Sequence, residues 1–273
     1  MPTEESGIAN EVRRLAKVLG AAEALRRITK EIFESLDDPF KGCRRVLCIQ
    51  PHPDDCEYGA GATLAELADA GVEITYLTLT DGSKGTLDPS MDPRVLAQIR
   101  RLEQERAAKV VGVKKLLWLD YLDGELPYSA EVRSKLIEAI RAEKPDVVFA
   151  PDPYLLYEAH PDHRVGGLLA LEAAMFSPLP LFSRGSQPHE VRAVVLYYTA
   201  RPNLLKPVDR TFERKLQALK MHESQFSSSW NLFELYLRVV AAAYGAQAGS
   251  EYAEAFRVLP TSLLHATALS ELV

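Results

Sequence analysis

An α/β fold built on a mainly parallel sheet is predicted for this 273-residue chain by two observations. Five short apolar, β-branched runs recur along it, and helical apolar patterns lie between the first four. Strands joined by helical crossovers pair in parallel and are covered on both faces. The runs are RRVLCIQ (44–50), EITYLTLT (73–80), KLLWLDY (115–121), DVVFAPD (146–152) and RAVVLYYT (192–199). Helices are read at 60–71, 93–111 and 129–143, and the second carries its own start signal, Asp92 as cap and Pro93 at the first position. A doubly wound, Rossmann-like sheet ordered 3-2-1-4-5 follows, flanked by helices.

Outside this frame, apolar positions at helical spacing from about 7 to 36 (Val12, Leu15, Val18, Leu19, Leu25, Ile28, Ile32, Phe33) predict a helical preface ended by Asp37 to Pro39. A loop after Asp152 gives way near Asp162 to the helix RVGGLLALEAAMF. The proline-rich stretch 177–190 reads as loop. Past Pro202 the strand pattern ceases, and helices are read at 209–225 and 230–244. One domain over 1–273 is expected, with a helical extension at 1–38 and a helical C-terminal part at 203–273.

The bulk composition, 47% hydrophobic and 26% charged, is that of a globular protein. A net charge of −6, with lysine and arginine dispersed among acids, argues against a nucleic-acid face. No uncharged apolar run approaches membrane-spanning length, and the charged N-terminus lacks the apolar core of a signal peptide. Cys43, Cys48 and Cys56 form no CxxC pair. Cys48, inside the first strand, reads as a buried free thiol, a pattern that fits a reducing, cytoplasmic setting.

In a doubly wound sheet, ligands bind in the crevice between the carboxyl ends of the first and fourth strands. The first strand runs into PHPDD (51–55) and the fourth is followed by EAHPDHR (158–164), so two His-Pro-Asp motifs face each other there. A catalytic metal needs imidazole or carboxylate ligands converging at about 2.0–2.2 Å, with one position open. His52 and Asp55, three apart in a turn, point the same way, and His163 supplies a third ligand from across the crevice. Asp54 and His160 remain beside the ion, the acid and the imidazole that hydrolysis by general acid–base catalysis requires.

Plainer readings exist for each feature. HPDD is also a turn whose aspartates cap the next helix. His189 and His265 read as surface histidines, His222 as a packed one, and Asp120 and Asp123 as turn residues. GAGAT (59–63) with Asp81 resembles part of a dinucleotide fingerprint, but His52-Pro53-Asp54-Asp55 occupies the place of its loop, and two carboxylates there repel a pyrophosphate. The glycines are read instead as letting the helix start approach the site. The loop 81–93 is a candidate substrate lid, and Tyr154 and Tyr157 are candidates for an aromatic wall against a sugar face.

PHPDD, LTDG (79–82), IRRLEQERAAKVVGV (99–113), the Asp123-Gly124 pair with Leu126, and HPDHR together resemble the LmbE-like (PIG-L) family of zinc-dependent de-N-acetylases over roughly 44–170, and LKMHESQF (219–226) extends the match. DDPF, VLCIQPHPDDC, VKKLLWLDY, ELPYS, FAPDPYLLYEAHPDHR and YAEAFRVLP resemble its diacetylchitobiose deacetylase branch from about Asp37 to the C-terminus. The resemblance implies one Zn2+ held by His52, Asp55 and His163, Asp54 as general base and His160 as the polarising histidine. It also implies sugar contacts from Arg100 and Asp123. The expected reaction is removal of the N-acetyl group from N-acetylglucosamine or short chitooligosaccharides, the alternative being another amidase or deacetylase of the family that acts on a thiol-sugar or glycosyl-lipid. The partner expected is a small amino sugar, not nucleic acid or membrane. The resemblance also implies trimer-based assemblies, commonly hexamers, and the apolar helix LFELYLRVVAAAYG has surface to spare for a second copy.

Overall fold

A computed structural model of the protein describes residues 4–33 and 38–272. In chain order the elements are α1 (Glu4–Leu19), α2 (Ala21–Ile32), β1 (Arg45–Gln50), α3 (Asp55–Asp69), β2 (Glu73–Thr80), α4 (Pro93–Val111), β3 (Lys115–Tyr121), α5 (Ala130–Glu143) and β4 (Val147–Pro151). They continue with α6 (Pro161–Phe176), β5 (Ala193–Tyr197), β6 (Leu204–Pro207), α7 (Phe212–Lys220), α8 (Glu223–Phe226), α9 (Trp230–Ala248), β7 (Ala253–Pro260) and α10 (Leu269–Leu272). The expected end of the N-terminal helical preface, with Asp37 of its stop, lies outside the described residues.

The sheet order is β3-β2-β1-β4-β5-β7-β6. Its first five strands are parallel and stand in the predicted order. The expectation that strands cease past Pro202, leaving helices and a mixed tail, needs correcting: β7 pairs antiparallel with β5, and β6 pairs antiparallel with β7. β7 carries Glu254 and Arg257 among its apolar residues, which hides the strand. Glu254 is buried because Lys215 Nζ reaches it at 2.6 Å and the Ala62 and Thr63 amides donate to it.

Alternation along the strands divides the core. Leu47, Ile49, Val148, Ala150, Val194 and Leu196 pack under α5 and α6. Val46, Cys48, Val147, Phe149, Ala193 and Val195 pack on the other face with α3 and α4. A smaller cluster joins α7 and α9 to Ala62 of α3. The period of two along buried parallel strands sends successive side chains to opposite layers. Gly59 lets α3 lie on this sheet, since a Cβ there would meet the Tyr197 ring at 2.4 Å. Its role is thus in packing against β5 rather than in admitting a ligand.

Cys48 is not a free thiol: it is disulfide-bonded to Cys56. The turn after β1 folds α3 back over the strand and brings the two Cα atoms to 6.5 Å, a pairing that a spacing of eight does not announce. Cys43 is the free, buried cysteine. The cysteine pattern therefore no longer argues for a reducing compartment. No helix among the described residues is long and apolar enough to cross a membrane.

Candidate active site

β1 and β4 lie side by side and end at the same edge of the sheet. The chain leaves them in different directions, into α3 and α6, and the gap between is the site. The Thr80 amide and hydroxyl both donate to the Pro51 carbonyl, at 2.9 and 2.8 Å, and fix the turn that presents His52. His160 caps α6, its Nδ1 accepting from the Asp162 amide at 3.3 Å, with Pro161 following as the first helical residue.

His52, Asp55 and His163 converge. His52 Nδ1 lies 3.2 Å from His163 Nε2 and 3.5 Å from Asp55 Oδ2, and His163 Nε2 lies 3.3 Å from Asp55 Oδ1. Ligands at about 2.0–2.1 Å around a tetrahedral ion stand about 3.3–3.4 Å apart, close to the separation of the two imidazole nitrogens and to that of each from its nearer Asp55 oxygen. The outward nitrogens settle the tautomers. His52 Nε2 faces Asp162 Oδ2 at 3.2 Å and Asp123 Oδ1 at 3.3 Å, and His163 Nδ1 faces Glu158 Oε2 at 3.2 Å. With an ion held between them, each imidazole would donate its outward N–H to a carboxylate and turn a lone pair inward, the arrangement that orients metal-bound histidines. The residues present fit a divalent cation.

A second group of possible donors, His52, Asp123, His160 and Asp162, shares His52. There Asp162 is already committed, accepting from the Gly124 and Leu126 amides at 2.7 and 3.0 Å. It serves as the support of His52.

The charges reinforce this geometry. Burial works against a charged His52, but Asp123, Asp162 and Asp55 outweigh it and hold its pKa well above the usual range. Burial likewise opposes charge on His163, and Asp55 overrides it. Asp55 itself is held well below the carboxylate range, the two imidazoles overcoming its burial. So many carboxylates draw positive charge to one point, as protons or as a cation.

Asp54 stands beside this trio and is not part of it. It occupies the cap position of α3 with φ 118° and ψ −23°, and its side chain makes no capping hydrogen bond. The alternative of a helix-capping turn therefore fails, and Asp55 turns back as well, accepting from the His52 amide at 2.8 Å. Burial pushes the Asp54 carboxyl up to about 6, with Arg100 pulling the other way and Asp55 adding to the rise. On His160, burial and then His52 and His163 lower the pKa. The bond from Asp162 leaves the proton of this neutral imidazole on Nε2, 3.9 Å from Asp123 Oδ1.

The expected sugar-binding residues are placed differently from one another. Arg100 is 3% exposed and donates inward, to Gly82 O at 3.0 Å, Pro53 O at 2.8 Å and Asp54 Oδ2 at 3.2 Å. Asp123 is 5% exposed, accepts from the Lys84 amide at 3.0 Å and faces His52. Both form the floor of the site. Tyr157 is 90% exposed and lines an outer cavity that none of the three converging donors touches. The loop 81–93 is pinned in its first half by Lys84 and by Arg100, while Leu87 stands fully in solvent. A cavity of about 520 Å³ opens beside Asp55 and His163, walled by Tyr58, Leu155, Tyr198, Tyr236 and Tyr244.

Sequence reasoning missed the supports. Glu158 and Asp162 stand within the second motif, two residues either side of His160, and their spacing from the histidines was the available signal. Tyr198 gave none. It sits just past β5 at φ 59°, donates to Asp55 Oδ1 at 3.1 Å and stacks on His163 with centroids 5.7 Å apart. His222, expected to be packed, is wholly buried, and His265 is exposed as expected.

Fold and donor set together fit a hydrolase that works through a bound cation, and comparison with known proteins narrows this. Residues 47–174 match the PIG-L family, described as GlcNAc-PI de-N-acetylase. The chain is 46% identical over 250 residues to the diacetylchitobiose deacetylase of Thermococcus kodakarensis, covering 89% of this chain and 93% of that one. A probable N-acetyl-alpha-D-glucosaminyl L-malate deacetylase 2 of Bacillus anthracis is 30% identical, over 69% of this chain and 84% of its own. Among solved structures, the N,N'-diacetylchitobiose deacetylase of Pyrococcus horikoshii, complexed with an inhibitor, superposes with a TM-score of 0.86 at 46% identity, covering 92% of this chain and 97% of that one. The chain belongs to the LmbE-like (PIG-L) de-N-acetylase family.

Proposed function

We propose that the protein removes the N-acetyl group from N-acetylglucosamine or a short chitooligosaccharide such as diacetylchitobiose, releasing acetate, with one zinc ion per chain. The observation that carries this reading is the inward-facing pair His52 Nδ1 and His163 Nε2, 3.2 Å apart, with the Asp55 carboxylate beside both. The likeness to the two diacetylchitobiose deacetylases supports the substrate class. A zinc ion in such a site supplies Lewis acidity, making water a nucleophile near neutral pH and polarising an amide carbonyl.

The chain's own groups do the rest. Asp54 takes a proton from the attacking water, whose oxygen bonds to the acetyl carbon. His160 offers its Nε2 proton to the amide oxygen as charge develops there. Asp54 then returns the proton to the departing nitrogen, the C–N bond breaks, and acetate and a free amine result. Arg100 and Asp123 hold the floor beneath the sugar.

Acetate release tests the reading, measured on N-acetylglucosamine and its β-1,4 dimer with and without a chelator. Release that the chelator abolishes and added zinc restores is expected. Release that ignores the chelator defeats the metal, and release only from a thiol-sugar or glycosyl-lipid defeats the substrate.

We further propose that copies of the chain associate, in trimer-based assemblies, through α9. Leu232, Leu235 and Val239 form an exposed apolar stripe at 72%, 58% and 59% exposure, and stripes of this kind mark protein contacts. Sedimentation equilibrium of the wild-type chain and of Leu235→Asp is expected to show the assembly and its loss. A wild-type monomer would contradict it.

A further inference from the structure

We propose that Gln104 is a positioning residue that holds Asp54 in its working conformation, and that Glu57 in turn holds Gln104. The inference deepens, and rests on, the reading of Asp54 as the proton carrier.

Asp54 has a backbone conformation that side-chain-bearing residues avoid, at φ 118°, so surrounding contacts must impose it. Two side chains of α4 do so from either side. Arg100 takes the Pro53 carbonyl, and Gln104 Oε1 accepts from the Asp54 amide at 3.1 Å. Residues four apart share one helical face, so α4 grips the strained peptide at two points.

Gln104 is fixed in its turn. Its Nε2 donates to Glu57 Oε1 at 2.7 Å, and its Oε1 also accepts from Gln50 Nε2 at 2.9 Å. The other oxygen of Glu57 has no hydrogen-bond partner among the described residues. It faces His222 Nε2 at 3.7 Å, and both ring nitrogens of His222 are also unpartnered. Glu57, Gln104 and His222 are all wholly buried. The segment carrying His222 is tied to α4 next to Gln104, where the Ser224 amide and hydroxyl donate to Glu103 at 2.7 and 2.6 Å. A buried carboxylate facing a buried imidazole is costly unless the contact closes. The Glu57 carboxylate stands one residue behind the strained peptide, and its bond to Gln104 Nε2 fixes the orientation of that amide.

The test uses the zinc-loaded enzyme and N,N'-diacetylchitobiose. Gln104→Met keeps the volume and removes all three hydrogen bonds. A kcat lower by about 10- to 100-fold is expected, with KM and zinc content unchanged, and in the variant's crystal structure Asp54 leaves positive φ. Wild-type kcat, or an Asp54 backbone unchanged in the crystal, overturns the proposal. Should this variant not fold, Glu57 decides it. Recovery by Glu57→Gln of most of the kcat lost in Glu57→Leu supports it, and equal kcat in both overturns it. A wild-type enzyme that releases no acetate defeats the deacetylase reading instead, and the crystallographic arm still judges Gln104.

Discussion

Asp54→Ala is expected to keep its metal ion and lose nearly all turnover. The three converging donors are His52, Asp55 and His163, and Asp54 is bonded instead to Arg100 at 3.2 Å, so its removal leaves the ligand set whole. Its buried carboxyl, pushed up to about 6, is suited to taking and returning a proton near neutrality. Positioned acid–base groups contribute about 10²- to 10⁴-fold, and kcat should fall by that factor. Asp54→Asn is the cleaner variant, because asparagine tolerates positive φ better than alanine and preserves the shape. Metal analysis and steady-state kinetics on both variants check the assignment. An Asn variant that deacetylates at the wild-type rate would remove Asp54 from the chemistry.

His163→Ala is expected to do the reverse and lose the ion itself. Loss of the carboxylates behind such ligands already costs about 10- to 100-fold in affinity or activity, so loss of a ligand should cost at least about 100-fold in metal affinity. Stability gives a readout that needs no substrate. With free zinc at about 100 times Kd the wild-type fold gains about 2.7 kcal/mol, while a site weakened 100-fold gains only about 0.4 kcal/mol. Melting curves with and without zinc should therefore separate for the wild-type protein and nearly coincide for the variant. A zinc shift in His163→Ala as large as in the wild type would place the ion elsewhere.

The parallel half of the fold was legible because its signals are local. Apolar runs with helices between them placed β2, β3 and α4 to the residue. β6 and β7 escaped because one is four residues ending in a proline and the other hides a buried Glu254 whose partner, Lys215, comes from another element. At the site, the convergence of His52, Asp55 and His163 was readable because the two His-Pro-Asp motifs follow neighbouring strands. Tyr198, Gln104 and the Cys48–Cys56 bond were not, since each depends on where a helix or strand end comes to rest against distant chain. Arg100 was named only through the family resemblance, and that its guanidinium turns inward onto the Pro53 carbonyl appears only once α4 is docked.

The pairing of β1 with β4 covers only three residues on each strand, Val46 to Cys48 against Val147 to Phe149, the shortest register in the sheet. The donors bridge that same seam from its two banks, and His52 and His163 are 111 residues apart in the chain. A cation shared between them closes that long loop as a clasp would, because the two banks can hold it together only once they are folded side by side. Losing the ion thus unfastens the two halves of the sheet at the place where backbone pairing offers least to keep them together.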